Sequence, residues 1–149
     1  MMMHKKFLFL PVCLIAQVCC AATPARLIAE LADASHYNIG QSGPAGVQSR
    51  YAEPYQTLLQ KGTLKEIKEL YEKGSSAGKL YALTALQQKD KNELIRILEK
   101  TDFSKLQRPV IIQMGGVVNV MSFLDGVSYV LQPEFIRYLP RPKGTNLEY

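Results

Sequence analysis

Apolar residues recur through the middle of this 149-residue chain at helical spacing, and near its end at strand spacing. Tyr51, Tyr55, Leu58 and Leu59 follow the i, i+4, i+7, i+8 rhythm of a helix that Gly62 is placed to end. Thr63-Leu64-Lys65-Glu66 reads as a capping box, in which a threonine hydroxyl and a glutamate three residues on satisfy each other's exposed backbone N–H. The helix it opens carries Leu64, Ile67, Leu70 and Tyr71, and Gly74 closes it. Ser76 is placed to cap the next helix, where Leu80, Tyr81, Ala82, Leu83, Ala85 and Leu86 are apolar almost all round. A helix of that kind belongs in the middle of a core. Asp90-Lys91-Asn92-Glu93 resembles a second capping box, with Leu94, Ile95, Ile97 and Leu98 behind it.

Upstream, residues 23–37 hold a short amphipathic helix with Thr23 as its cap, Pro24 in its first turn, and Leu27, Ile28 and Leu31 on one face. Residues 38–49 are rich in Gly, Ser and Pro and read as a loop or linker. Downstream of Pro109 the pattern changes. Val110-Ile111-Ile112, Val117-Val118-Asn119-Val120 and Val127-Ser128-Tyr129-Val130-Leu131 are rich in β-branched residues, with Gly115-Gly116 and Asp125-Gly126 between them as tight-turn dipeptides. A two- or three-stranded meander is the simplest reading. The competing one makes 126–139 helical, with Pro133 entering a final turn that buries Phe135, Ile136 and Leu139. Strands are expected as far as about Phe123, with both readings open after Asp125. Residues 140–149 read as an extended tail.

The expected fold class is therefore mainly α: amphipathic helical hairpins with a small C-terminal β-hairpin or mixed element, α+β at the margin. Thr63 set against Asp90 aligns Glu66, Leu70, Tyr71, Glu72 and Lys73 with Glu93, Ile97, Leu98, Glu99 and Lys100. On those residues the stretch 63–101 resembles a HEAT or armadillo-type helical hairpin. That resemblance implies stacked helix pairs and a surface that binds protein or peptide.

The N-terminus changes the picture of the whole chain. Lys5 and Lys6 followed by the apolar run Phe7–Val18 and by Cys19-Cys20-Ala21-Ala22 read as a secretory signal peptide over 1–22, cut near Ala21 or Ala22. The run is shorter than the roughly 20 residues a spanning helix needs. Lipidation at Cys19 or Cys20 is the minority alternative, and the one route by which the protein would be held at a membrane. All three cysteines (Cys13, Cys19, Cys20) lie inside the signal, so the mature protein, domain 23–139 with its tail, is expected to be exported and free of thiols. Losing Lys5 and Lys6 also lowers the formal net charge from +5 to +3, spread among both signs. No concentrated basic face is evident, which argues against a nucleic-acid partner.

Candidate chemistry is sparse. Asp33, His36 and Ser42 lie close in sequence, and Gly40-Gln41-Ser42-Gly43-Pro44 resembles the nucleophile loop of chymotrypsin-like proteases, with Gln41 where that loop has aspartate. The plainer reading makes His36 the favourable cation at a helix end and Ser42 a turn residue. Gly74-Ser75-Ser76-Ala77-Gly78-Lys79-Leu80 falls one residue short of a phosphate-binding loop and has Leu80 where a hydroxyl is needed, so it reads as a helix–helix turn. Neither a metal-ligand set nor a cofactor motif is present in the sequence. Any two of Glu30, Glu53, Glu66, Glu93 and Asp125 would serve a carboxylate hydrolase if they converged, and nothing selects a pair.

Eight tyrosines against no tryptophan are the one compositional oddity. Tyr51, Tyr55, Tyr71 and Tyr81 are the candidate binding surface, with helix packing as their other use. The function expected from these features is a non-enzymatic protein- or peptide-interaction module of the cell envelope or secreted space. The alternative is a small envelope-polymer hydrolase using carboxylate acid/base chemistry.

Overall fold

In the computed structural model, residues 23–42 and 47–140 are described, so the expected signal segment, the centre of the 38–49 loop and the tail after Pro140 lie outside the described residues. The chain is mainly α-helical. Helices α1 (Pro24–Ala32), α2 (Ala52–Lys61), α3 (Leu64–Lys73), α4 (Ser76–Lys89) and α5 (Lys91–Lys100) precede a hairpin of β3 (Val110–Met114) and β4 (Val117–Met121). Two short helices follow, α6 (Phe123–Val130) and α7 (Pro133–Ile136). A minimal antiparallel pair, β1 (Gln41–Ser42) with β2 (Val47–Gln48), lies within the stretch expected to be loop.

Helix α4 is the hub. Ala77, Gly78 and every residue from Leu80 to Leu86 are buried, because α1, α2, α3, α5, α6 and β3 all pack around it. Its all-round apolar sequence is thus satisfied by neighbours on every side. Gly78 has a steric role: a Cβ there would stand 2.6 Å from the Leu31 carbonyl oxygen, so only glycine lets α4 approach the end of α1. The same corner is stitched by Ser75, whose N–H donates to the Ala32 carbonyl and whose hydroxyl donates to the Ala34 carbonyl, each at 2.7 Å.

Local signals decide most helix ends. The Thr63–Glu66 capping box forms in full, and Gly62 and Gly74 stand at the C-caps of α2 and α3. Asp90 accepts from the Glu93 N–H at 3.0 Å, but Glu93 does not return the bond; its carboxylate is taken by Lys68 and Arg96, so only half of the second box forms. The cap of α4 is Ser75 and not Ser76, since the Ser75 hydroxyl reaches the Gly78 N–H at 3.0 Å. Helix α1 stops at Ala32. Residues beyond it turn so that Tyr37 bridges Ile112 of β3 in parallel.

In the C-terminal part the strands end at Met121, as expected as far as about Phe123, and the choice left open after Asp125 falls to helix. Gly115-Gly116 does form the turn of the β3–β4 hairpin, and Gly115 takes φ +57°, the left-handed sign that glycine adopts without strain. Asp125-Gly126 lies inside α6 instead. The Ser122 hydroxyl caps that helix through the Asp125 N–H at 3.1 Å. Gly126 is small because a Cβ there would meet Val110 Cγ1 at 2.5 Å, where α6 lies on β3. The stretch 127–131 is accordingly helix and helix end, not a third strand. Of the final turn, Phe135 and Leu139 are buried and Ile136 is exposed.

Candidate functional site

Three of the four candidate tyrosines belong to the core. Tyr81 lies at the centre of a ring cluster, its centroid 4.7 Å from Tyr37, 5.5 Å from Tyr55 and 5.9 Å from Tyr51. Each hydroxyl has an internal partner, which is what lets a tyrosine be buried whole. Tyr81 accepts from the Asn38 N–H and donates to the Asn38 carbonyl, both at 2.8 Å. Tyr51 accepts from the Ser35 N–H at 3.0 Å, and Tyr55 from the Gln88 side-chain amide at 3.2 Å. Burial raises the pKa of Tyr37, Tyr55 and Tyr81, so these groups stay neutral and serve as packing.

Tyr71 differs. It is half-buried in a groove of about 500 Å³ between α3 and α5, walled by Lys68, Glu93, Arg96 and Lys100. Its hydroxyl pairs with that of Thr101 at 2.8 Å. Lys68 and Arg96 both reach Glu93, at 2.7 and 3.3 Å, so the charges of the groove are largely spent on one another. Around Lys79, beside the α3–α4 turn, the ammonium is likewise held by the backbone carbonyls of Tyr71 and Glu72, and burial lowers its pKa. The phosphate-loop look-alike is therefore a helix–helix turn whose lysine faces its own backbone.

The protease-like set does not assemble from what is described. His36 Nδ1 lies 3.0 Å from the Ser35 hydroxyl, and its ring packs edge-on against Tyr51 at 5.1 Å. Burial and then the Arg50 charge lower its pKa. His36 also lies four residues beyond the end of α1, so it is not the expected helix-end cation. The Ser42 side chain lies outside the described set. Among the acids, Glu66 is held by the Thr63 cap and Asp125 by Ser122. Among the described residues, every carboxyl whose pKa is displaced (Glu66, Glu69, Glu93, Asp102) moves down, because N–H, hydroxyl or ammonium groups hold the charged form. A general acid needs the opposite displacement. No group of three or more His, Cys, Asp and Glu is placed to hold a metal ion among the described residues.

The surface that stands out is the β3–β4 hairpin. Its inner face sets Val110 and Ile112 into the core against α4 and α6. Its outer face presents Ile111, Val118 and Val120, the last two 58% and 66% exposed, and Val117 and Met114 are exposed at the tip. No charged residue occurs between Arg108 and Asp125. Half-buried antiparallel strands normally alternate apolar with polar, whereas these strands carry apolar residues on both faces, with Gln113 the one polar residue of the outer face and Asn119 that of the inner. That double-sided pattern, Val117-Val118 beside Val120-Met121, is the sequence signal that marks Ile111, Val118 and Val120.

No protein-family model matches the chain, and neither a curated protein nor a solved structure matches it.

Proposed function

We propose that the chain is an exported, non-enzymatic interaction module of the cell envelope or secreted space, and that it meets its protein partner through the outer face of the β3–β4 hairpin. One observation carries the reading: a contiguous set of exposed valine and isoleucine side chains with no charge among them. Exposed apolar surface gathered in one place marks contact sites on soluble domains. The helical surfaces offer less. The outward faces of α3 and α5 are charged, with Lys68 and Arg96 paired to Glu93 and Lys73 to Glu69, and the tyrosines of the helical heart are mostly spent on packing.

Photo-crosslinking in the source cell tests this directly. A reactive side chain at Ile111, on the outer face, is expected to give an adduct with a second protein species, and one at Lys68, in the α3–α5 groove, is not. Adducts from Lys68 alone would move the contact to the helices. Mass spectrometry of the exported protein is expected to find an N-terminus near Ala22 or Thr23; an intact Met1 would remove the export half of the reading.

A further inference from the structure

Among the described residues the hairpin also has an unpaired edge, and the hydrogen-bond phase of the sheet says what that edge can accept. Tyr37 donates its N–H to the Ile111 carbonyl at 2.8 Å and accepts from the Gln113 N–H at 2.9 Å. Ile111 and Gln113 therefore turn their backbone groups toward Tyr37, and Ile112 between them turns toward β4. In an antiparallel pair these directions alternate residue by residue. Ile111 lies opposite Val120 and Gln113 opposite Val118. It follows that Val118 and Val120 point their N–H and C=O groups away from β3. Among the described residues, β4 pairs with β3 alone.

Exposed strand edges are normally guarded by a lysine, a proline, a bulge or extreme shortness. Strand β4 has five residues, no charge, no proline and an unbroken register with β3. We propose that this edge is occupied by a second copy of the chain, the two β4 strands running antiparallel about a two-fold axis through Asn119. Under that axis Val118 faces Val120 of the second copy, and Val120 faces its Val118. Both residues present outward N–H and C=O groups, so the two pairs close four backbone hydrogen bonds. Val117 falls opposite Met121, and Asn119 opposite itself in the non-bonded position. A shift of one residue would set outward groups against inward ones. A shift of two keeps the phase but leaves strand ends unpaired. Only the register centred on Asn119 uses all five residues.

The pairing closes on itself. The outer edge of β3 is already engaged at Ile111 and Gln113 by Tyr37, so among the described residues the hairpin offers the β4 edge alone, and pairing through it stops at two. The product is a four-stranded sheet whose outer face carries Ile111, Val118 and Val120 twice over, a platform wider than either copy provides.

Sedimentation equilibrium of the mature protein is expected to return twice the chain mass at micromolar concentration, with a reversible monomer–dimer equilibrium. Val118→Pro removes an outward N–H while leaving the β3 ladder untouched. It is expected to weaken the dimer about tenfold or more with unchanged far-UV circular dichroism. Val118→Lys/Val120→Lys sets lysine against lysine in both bonded pairs and is expected to be monomeric. Mixing it with Val118→Glu/Val120→Glu is expected to restore a dimer that contains one chain of each kind. A wild-type monomer up to the millimolar range overturns the proposal, as do open-ended aggregates, a Val118→Pro dimer as tight as wild type, or a lysine–glutamate mixture that stays monomeric. If Val118→Pro fails to fold, the lysine–glutamate mixture decides alone. A monomer that still crosslinks to another protein from Ile111 would remove the dimer and leave the binding face standing.

Discussion

Helix α4 and the β3–β4 hairpin are both built largely from apolar residues, and the fold treats them in opposite ways. Nine of the fourteen residues of α4 are buried, because other elements close on it from every side. Of the ten strand residues in the hairpin, Val110 and Ile112 alone are buried. Apolar content states a need for burial and does not say who supplies it. For α4 the chain supplies it. For the hairpin the described chain covers one face and leaves the other open, and that imbalance is why the contact surface is proposed there.

Substitutions of matched chemistry should separate the two regions most widely. Leu83→Ala removes a side chain with no solvent exposure at the hub and should cost about 2–5 kcal/mol, because a cavity among six packed elements cannot collapse. Val120→Ala, measured by urea unfolding at a concentration where the chain is monomeric, should stay within about 0.5 kcal/mol of wild type. Equal costs at the two sites would mean that the hairpin's outer face is covered within the chain. Gly78→Ala comes next. Alanine favours helix by up to about 1 kcal/mol, yet here its methyl would stand 2.6 Å from the Leu31 carbonyl oxygen, a backbone atom that cannot swing aside. A net loss of about 1–3 kcal/mol is expected. A higher Tm than wild type would break the claim that α4 is gripped as closely on its α1 side as elsewhere.

What could be read in advance follows the same division. Signals that act within a few residues were legible: the Thr63–Glu66 box, the stops at Gly62 and Gly74, the all-round apolar run of α4, and the Gly115-Gly116 turn. Signals whose cause lies across the fold were not. Asp125-Gly126 has turn chemistry, but Gly126 is small because Val110 lies over it, a contact 16 positions away in sequence. Gly78 imitates a nucleotide-loop glycine and is there for the Leu31 carbonyl. Tyr71 and Tyr81 sit in similar helical patterns, yet one lines an open groove and the other is enclosed by three further tyrosines. Burial of a given face depends on which neighbour arrives, and spacing along one helix cannot name that neighbour.

The smallest effect concerns charge, and it divides the molecule most cleanly. Glu66 accepts from the Thr63 N–H and hydroxyl, each at 2.8 Å, and those bonds hold its carboxyl below the ordinary glutamate value of 4.5. A carboxyl whose folded-state pKa is depressed adds stability above its unfolded value, and that contribution is lost as pH falls through the folded value. Thr63→Ala removes the acceptor for the Glu66 N–H together with one donor to the carboxylate, and should cost about 1 kcal/mol at neutral pH. Part of that deficit should vanish below pH 4.5, as Glu66 protonates in the wild type as well. Amide hydrogen exchange would show where the acid acts. Protection at the start of α3 should fall first, while the hairpin, with no ionisable side chain between Arg108 and Asp125, should keep its exchange pattern until the whole fold gives way. If the strands lost protection together with α3, the hairpin would be coupled to the helical half more tightly than its one buried face suggests.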